Sequence, residues 1–272
     1  MRLLIFGLGY TALRIAEAAR QGGWAVDATG SAGNIDFNDR ATVRLVAAQA
    51  THILSSVPPV VDGDPVLQTY SAALDGKWLG YLSSTGVYGD AGGAWVDESA
   101  AIRGRRESRN RADQEWLARG ARVFRLPGIY GPGRSALDRV AEGKAHRVNL
   151  PDQVFSRVHV DDIVSGVIAG FGGPAGAYNL ADDYPCDQNA VIEAAAALLG
   201  VSAPPFVTLD QLSPMARSFY GENRRVANAK AKRVLDWKPA YPDFRSGLRA
   251  LSAMSNPPSA TMPPAAASHD QR

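Results

Sequence analysis

Short apolar runs alternate along this chain with segments that have the pattern of helices. Residues 3–6 form an uninterrupted apolar run, and residues 12–19 carry Leu13, Ile15 and Ala16. A continuous apolar run of this length is typical of a buried parallel strand, and the segment after it predicts a helix. We also predict strands at residues 24–29, 34–37, 51–55, 78–84, 122–126 and 178–180, and helices at residues 39–48, 134–142, 162–171 and 187–199. Together these elements predict an α/β fold with a parallel sheet.

The turn between the first strand and the first helix has the sequence Gly7-Leu8-Gly9-Tyr10-Thr11-Ala12. Gly7 allows a tight turn, Gly9 lets backbone amides approach a pyrophosphate, and Ala12 keeps the helix close to the sheet. The anion would lie at the positive end of the helix. G-x-G-x-x-A in a strand-turn-helix context therefore predicts a dinucleotide site, with Tyr10 and Thr11 beside the glycines, rather than a merely glycine-rich turn.

The end of the second strand carries no carboxylate. Many dinucleotide-binding folds have an acidic residue there that hydrogen-bonds the adenosine ribose, but here the place falls on Gly30 or Ser31. Because no carboxylate repels a 2′-phosphate, we expect NADP rather than NAD, although no arginine is present to hold that phosphate. Asp27 lies inside the strand, too early for the ribose. Asp36, at the end of the predicted third strand, could accept a hydrogen bond from adenine or could cap the next helix.

Two later strands end in candidate ligand contacts. Residues 51–55 lead into Ser56-Val57-Pro58-Pro59, a loop that its prolines fix at the carboxyl edge of the sheet. This loop could contact the cofactor through Ser55, Ser56 and Val57, or it could be a plain turn. Residues 78–84 lead into a run of three hydroxyls, Ser83-Ser84-Thr85, which indicates a site because each buried hydroxyl would need a partner.

Three further segments resemble signatures of the extended short-chain dehydrogenase/reductase superfamily, the NAD-dependent epimerase/dehydratase group. They are Ser83-Ser84-Thr85-Gly86-Val87-Tyr88-Gly89, Arg125-Leu126-Pro127-Gly128-Ile129-Tyr130-Gly131-Pro132-Gly133 and Val158-His159-Val160-Asp161-Asp162-Ile163. The resemblance covers about residues 1–250. It implies a Rossmann-type doubly wound parallel sheet with a small C-terminal α+β substrate lobe. It also implies that Ser84, with Thr85 beside it, is catalytic, and that Pro127, Gly128 and Ile129 line the nicotinamide.

The expected division of the chain follows from this resemblance. The NAD(P)-binding core would be residues 1–132, to which 156–181 return, and the substrate lobe would be 133–155 and 182–254. Residues 255–272 are mostly Ala, Pro and Ser, which predicts a disordered tail.

Within the lobe we expect a hairpin of residues 146–150 and 154–158. Arg224 or Arg225 could hold a carboxylate or phosphate of the substrate, or pair with a surface acid. Asp161 is expected to cap the helix at 162–171, with His159 packed beneath the cleft, rather than to form a charge relay with His159.

The family's Tyr-x-x-x-Lys pair is missing. When the glutamate that usually follows the lysine is set on Glu115, Arg111 takes the place of the lysine and Glu107 that of the tyrosine, and no tyrosine lies between Tyr88 and Tyr130. The chain is thus similar to the atypical branch of the superfamily. Arg111 could still orient a cofactor ribose. Tyr88 or Glu107 could carry a proton, although arginines should hold that glutamate ionised. Alternatively, residues 103–111, with five arginines, are a solvated loop and helix start.

Composition adds a few exclusions. The net charge of +2 gives no support for a nucleic-acid partner, and no apolar segment approaches the ~20 residues of a membrane span. Cys186 is the only cysteine, which excludes an intramolecular disulfide and fits a cytoplasmic protein. The histidines, His52, His146, His159 and His269, are dispersed, so we expect no metal.

Two functional hypotheses remain. The first is an NAD(P)-dependent oxidoreductase or epimerase-like enzyme that acts on a small polar or anionic substrate with atypical catalytic residues. The second is a non-catalytic NAD(P)-binding protein that reports redox state to a partner. A homodimer is possible, because family members often pair through the helices beside the fifth and sixth strands, where Trp116-Leu117 is apolar.

Overall fold

The computed structural model describes residues 1–255, without the side chains of Met215, Ala216 and Ser255. Its strands are β1 Arg2–Phe6, β2 Ala25–Ala28, β3 His52–Ser55, β4 Trp78–Ser84, β5 Trp95–Val96, β6 Arg122–Leu126, β7 Gly128–Tyr130, β8 Arg147–Val148, β9 Arg157–His159, β10 Gly176–Asn179, β11 Phe206–Val207 and β12 Arg225–Val226. Its α-helices are α1 Tyr10–Gln21, α2 Arg40–Gln49, α3 Pro65–Tyr70, α4 Glu107–Ala118, α5 Ala136–Ala141, α6 Val160–Ala169, α7 Gln188–Leu199, α8 Pro214–Phe219, α9 Ala229–Val234 and α10 Phe244–Ser255. The predicted disordered tail lies, apart from its first residue, outside the described residues.

The central sheet has six parallel strands in the order β10-β6-β4-β3-β1-β2. The strand order reverses between β1 and β3, and in such sheets ligands bind in the crevice at the carboxyl ends beside this point. An apolar cluster lies on each face, one built by α1 and α6 and the other by α2, α3 and α4. These features confirm the predicted Rossmann-type, doubly wound sheet. A third cluster joins α5, α7 and α10 beyond the sheet.

The predicted strand at residues 34–37 does not form. Only one bridge, between Thr29 and Ile35, is present there. The side chain of Asn34 accepts the N–H of Ala28 at 2.9 Å and so takes up a donor that a strand would need. Asp36 then begins a turn, because its backbone and side-chain oxygens accept the next free amides.

The predicted hairpin of residues 146–150 and 154–158 is wrong as well. β8 pairs with β11, and β9 pairs with β7. Between the two segments the chain turns through Asp152, at φ 62°, and the amide of Val154 donates to the side chain of Asn223 at 3.1 Å. Each segment therefore pairs with a strand other than its neighbour in sequence.

The start of α6 differs from the prediction by two residues. The helix begins at Val160, and its N-cap is His159, whose Nδ1 accepts the amide of Asp161 at 3.3 Å. Asp161 is therefore inside the first turn and does not cap the helix. His159 is buried, as predicted, and burial lowers the pKa of its ring despite the nearby Asp161 carboxylate.

Trp116 cannot contribute to a dimer contact. Its side chain is fully buried, stacks on Tyr81 with ring centroids 5.4 Å apart, and donates from Nε1 to Asp64 at 2.9 Å. Asp64 also caps α3 by accepting two amides. Across residues 1–255, no helix combines the length and the apolar character that crossing a membrane requires.

Candidate active site

The glycine turn before α1 leaves the start of that helix open. The amide of Leu8 donates to the Thr29 carbonyl at 2.8 Å, and Gly7, at φ +84°, makes the turn. Gly9 is the N-cap, is exposed, and has no atom within 4 Å of where a Cβ would stand. The first N–H groups of a helix have no acceptor within it, so this end of the twelve-residue α1 fits a diphosphate.

The other residues of the turn hold α1 in place. Thr11 and Ala12 are buried against the sheet. The Tyr10 hydroxyl donates to the Pro132 carbonyl at 3.1 Å, and the guanidinium of Arg14 lies 4.1 Å from the centroid of its ring. Tyr10 thus joins the helix start to the loop after β7.

The loop after β3 packs against the glycine turn. Ser56 donates from its hydroxyl to the carbonyl of Gly7, and a Cβ on Gly7 would lie 3.0 Å from Val57 Cγ2. Ser55 is fully buried, and its hydroxyl accepts the amide of Val57 at 3.4 Å. Of the three residues predicted to contact the cofactor here, Ser56 and Val57 lie against the glycine turn, whereas Ser55 points into the interior.

The segment that the sequence predicts to meet the adenosine follows β2. Ser31 is exposed just after β2, and Asp27 lies within β2, where it pairs with Arg2 at 3.0 Å. Asp36 is exposed and is not a helix cap, because Asp39 caps α2 by accepting the Thr42 amide at 3.1 Å.

A cavity of about 930 Å³ lies between the carboxyl ends of β4 and β6 and the cluster of α5, α7 and α10. It brings together Ser84, Thr85, Pro127, Gly128 and Ile129, as the family resemblance implies. We call this cavity the cleft.

Two hydroxyls stand at the end of β4. The Ser84 oxygen accepts the amide of Gly86 at 3.1 Å, which leaves the hydroxyl proton available for a ligand oxygen. Thr85 lines the cleft too, although its side chain is buried.

The face of α4 that meets the cleft is not the one predicted. Arg106, Arg109 and Asn110 line the cleft. Arg111 is exposed on another face, where its nearest acid is Glu115 at 3.9 Å. Asn110 and the buried Asp113 are three residues apart and share one face of α4, and Arg106 is the N-cap residue just before the helix. Arg106 and Asn110, rather than Glu107 and Arg111, are therefore the residues four apart that line the cleft here.

Tyr88 belongs to a buried polar network beneath the cleft. Its hydroxyl donates to Asn179 at 2.7 Å and accepts from Arg125 at 3.0 Å. Arg125 also binds Asp113 through two nitrogens, at 2.7 and 3.2 Å, and Ser83 donates to the same carboxylate at 2.6 Å. Burial raises the pKa of Tyr88 although Arg125 opposes it. The network connects β4, β6, β10 and α4, so the contacts of Tyr88 are structural ones that hold these elements together.

The cleft is rich in arginine. Its cationic lining residues are Arg105, Arg106, Arg109, Arg134, Arg139, Arg157 and Arg224, and its acidic ones are Asp138, Glu142 and Glu222. Asp138 is held in the capping box of α5 by Ser135. Arg105 and Arg224 bind Glu222 at 2.7 and 2.5 Å and keep its pKa low although burial opposes them.

The predicted roles of Arg224 and Arg225 change accordingly. Arg224 lines the cleft, but its guanidinium is taken by Glu222 and by the Gly89 carbonyl at 2.6 Å. Arg225 donates to the Gly93 carbonyl. Among the described residues, no group of His, Cys, Asp and Glu could hold a metal ion.

Comparison with known proteins places this geometry in a known fold. No protein-family profile matches the chain. A functionally unknown conserved protein from Silicibacter pomeroyi DSS is 38% identical, with a TM-score of 0.83 over 93% of this chain and 98% of that one. The NAD complex of dTDP-glucose 4,6-dehydratase from Bacillus anthracis str. Ames has a TM-score of 0.73 at 18% identity, over 94% and 97% of the two chains. The NAD complex of UDP-glucose 4-epimerase from Thermus thermophilus has a TM-score of 0.73 at 18% identity, over 93% and 98%.

One curated relative is similar over a shorter stretch. It is the 3-diazoavenalumate denitrifying reductase of a Streptomyces species, which is 34% identical over 139 residues. The match covers 46% of this chain and 45% of that protein, so it spans less than half of either. The chain therefore belongs to one family with the conserved Silicibacter pomeroyi protein, and it has the extended short-chain dehydrogenase/reductase fold of the NAD-dependent epimerases and dehydratases.

Proposed function

We propose that this protein is an NAD(P)-dependent oxidoreductase, epimerase-like in fold, that acts on a small anionic substrate with atypical active-site residues. One observation carries the proposal. Ser84, whose hydroxyl proton is free, and Pro127, at the end of a strand, line the same cleft as Arg106 and Arg109 at the start of α4. Hydroxyl donors and arginines in one cleft fit a substrate that carries both a reacting oxygen or nitrogen and an anionic group.

The residues present fit a dinucleotide. Gly9 and the first turn of α1 would hold its diphosphate, and residues 127–129 would stand beside its nicotinamide. The nicotinamide supplies hydride transfer when bound, which no side chain can do. Ser31, in the place of a ribose-binding carboxylate, favours NADP over NAD. The two enzyme neighbours were solved with NAD, so the preference for NADP rests on Ser31.

The chain's own chemistry differs from that of a tyrosine-lysine pair. A guanidinium such as that of Arg106 can stabilise negative charge on a substrate but does not act as a general acid. Ser84 can donate a hydrogen bond to the same substrate. Such residues suit acceptors whose negative charge is delocalised over a conjugated system, because these need no proton from the protein while the charge forms.

Calorimetry with NAD⁺, NADH, NADP⁺ and NADPH, followed by turnover against conjugated anionic acceptors and simple carbonyl compounds, tests the proposal. We expect binding of NADPH ahead of NADH, and turnover that Ser84→Ala reduces. Binding without turnover, and with Ser84→Ala unchanged, would favour a redox-reporting protein instead. No binding of any dinucleotide at millimolar concentration would overturn both.

A further inference from the structure

The cleft carries an aromatic wall beside its arginines. Resting on the function proposed above, we infer that the cleft selects a flat aromatic carboxylate, with its ring on Phe155 and Phe219 and its carboxylate at Arg106 and Arg109. The aromatic wall, the state of the arginines, and the path between them each support this assignment.

Phe155 and Phe219 form the aromatic wall. Their rings stack with centroids 4.4 Å apart and planes 8° from parallel, and Tyr220 stands edge-on against both. Both phenylalanines line the cleft, and Phe219 is 50% exposed. An exposed ring in a cavity offers an apolar face to a ligand, and aromatic pairs add about 0.5–1.5 kcal/mol beyond the area that they bury.

The wall runs from the nicotinamide segment to the arginines. Next to Phe155, the Ser156 carbonyl accepts the amide of Gly128 at 3.2 Å. Next to Phe219, the Ser218 carbonyl accepts from Arg105 at 2.8 Å. A ring on this wall would therefore have the Gly128 segment at one end and the loop of Arg105 and Arg106 at the other.

Three of the arginines that line the cleft are left for a ligand: Arg106, Arg109 and Arg134. Arg134 lies over the ring of Tyr10, 5.7 Å from its centroid, so Arg106 and Arg109 are the two of them near the aromatic wall. The guanidinium groups of Arg105, Arg157 and Arg224 already donate hydrogen bonds to carboxylates, carbonyls or side-chain acceptors of the chain. Within residues 1–255, the side chains of Arg106 and Arg109 form no hydrogen bond or ion pair. A guanidinium binds a carboxylate through two parallel hydrogen bonds, which sets both its position and its orientation.

The remaining lining favours an aromatic ring over a sugar. The apolar residues that line the cleft are Pro127, Ile129, Ala136, Val154, Phe155, Val191, Phe219, Val226, Phe244 and Leu248, and its uncharged polar residues include Ser135, Ser156 and Gln188. The apolar side chains offer no partner to hydroxyls, and each hydroxyl buried without a partner weakens binding. A sugar phosphate would satisfy the arginines, but any hydroxyl that it placed on Phe155 and Phe219 would lack a partner there.

Calorimetry on the full-length protein with NADP⁺ bound tests the inference, with 4-hydroxycinnamate as the probe. The matched ligands are its neutral amide, the non-planar cyclohexanecarboxylate, and glucose 1-phosphate. We expect 4-hydroxycinnamate to bind about tenfold or more tightly than each of them, since one charge-assisted pair or one aromatic contact is worth about that factor. Equal binding of the amide or of cyclohexanecarboxylate, or tighter binding of glucose 1-phosphate, would overturn the inference.

Variants separate the two halves of the proposed site. In Arg106→Gln we expect the affinity for 4-hydroxycinnamate to fall about tenfold and the affinity for its amide to stay unchanged. In Phe219→Leu we expect the affinity for both aromatic ligands to fall. Arg103→Gln, in the same loop but outside the cleft lining, is the control for charge and should bind the probe as the wild type does. NADP⁺ affinity is measured first in each sample. If NADP⁺ fails to bind, the proposed function fails, and if it binds while the probe does not, only the present inference fails.

Discussion

Asn110 lies one helical turn before Asp113 on the same face of α4. Asp113 is fully buried on Arg125, and Asn110 donates from Nδ2 to the Gly104 carbonyl at 2.7 Å at the edge of the cleft. The Oδ1 of Asn110 is buried without a hydrogen-bond partner among the described residues. The buried ion pair thus fixes the rotation of α4, and with it the residues that face the cleft.

Restoring a tyrosine-lysine pair on this face should create a proton donor. We expect the double variant Arg106→Tyr/Asn110→Lys to reduce simple aldehydes and ketones with NADPH at least about tenfold faster than the wild type, because a positioned general acid contributes about 10²–10⁴. The measurement is NADPH oxidation at a fixed aldehyde concentration.

The matched control places the same two residue types one position later. Glu107→Tyr/Arg111→Lys should give no gain, since Arg111 lies outside the cleft lining. A gain in the control variant alone would show that residues 107 and 111, which the alignment on Glu115 predicts, are the ones that face the cleft.

The buried pair of Arg125 and Asp113 should dominate the stability of the site. Asp113→Asn leaves the guanidinium of Arg125 in the interior without its counter-charge, and breaking such a pair costs about 3–5 kcal/mol. Urea unfolding measures the loss. Asp27→Asn, at a half-exposed pair with Arg2, is the control and should cost about 1 kcal/mol or less. Similar losses in both variants would contradict the account.

The amino-terminal unit could be predicted from the sequence because its signals are local. The apolar run of β1, the glycine turn and the helix that follows depend on neighbouring residues alone, and the family signatures at Ser84 and Pro127 are equally short. The wrong predictions depend on distant partners. β8 and β9 pair with strands that no local pattern identifies, and the predicted strand at residues 34–37 is absent because the side chain of Asn34 accepts the amide of Ala28.

The cleft face of α4 was predictable in principle. Ala112 and Trp116 are apolar and four apart, which marks the buried face, and this face continues back to Arg109 at helical spacing, near the N-cap residue Arg106. An alignment on Glu115 alone ignores it. The signal for the buried network was Arg125, a charge between the apolar residues Phe124 and Leu126 of β6, which calls for a buried acid such as Asp113.

Asp182 should make the protein less stable as the pH rises. Burial raises its pKa to about 8 against the opposing charge of Arg157, and the carboxylates of Asp183 and Asp243 act with burial. The pKa in the unfolded chain is about 3.9. Between these pH values the folded protein binds more protons than the unfolded one, so the free energy of unfolding falls by at most about 1.4 kcal/mol per pH unit.

Asp182→Asn should remove this slope. Burial also raises the pKa of Asp162 to about 6, so the slope is compared between about pH 7 and pH 8, above the titration of Asp162. Urea unfolding at about pH 7, 7.5 and 8 gives the slope for each protein. Asp75→Asn, an exposed carboxylate at 79% side-chain exposure, is the control and should keep the wild-type slope. An unchanged slope in Asp182→Asn would show that Asp182 is ionised at neutral pH in the fold.

The two glycines of the turn before α1 should respond to substitution in opposite ways. Gly7→Ala should lower the free energy of unfolding by about 1 kcal/mol or more, because φ is +84° and the new Cβ would meet Val57 at 3.0 Å. Gly9 has φ −91°, extended ψ and open space, so Gly9→Asp and Gly9→Asn both supply a favourable N-cap and should keep or raise stability.

Dinucleotide binding should then separate the two Gly9 variants. The carboxylate of Gly9→Asp would stand where the diphosphate is proposed to lie, so we expect its NADPH affinity to be at least about tenfold below that of Gly9→Asn, a difference of about 1.4 kcal/mol. The isosteric pair removes steric effects from the comparison, and urea unfolding on the same preparations confirms that both are folded. Equal affinities would mean that no anion lies at the start of α1, whatever else the protein binds.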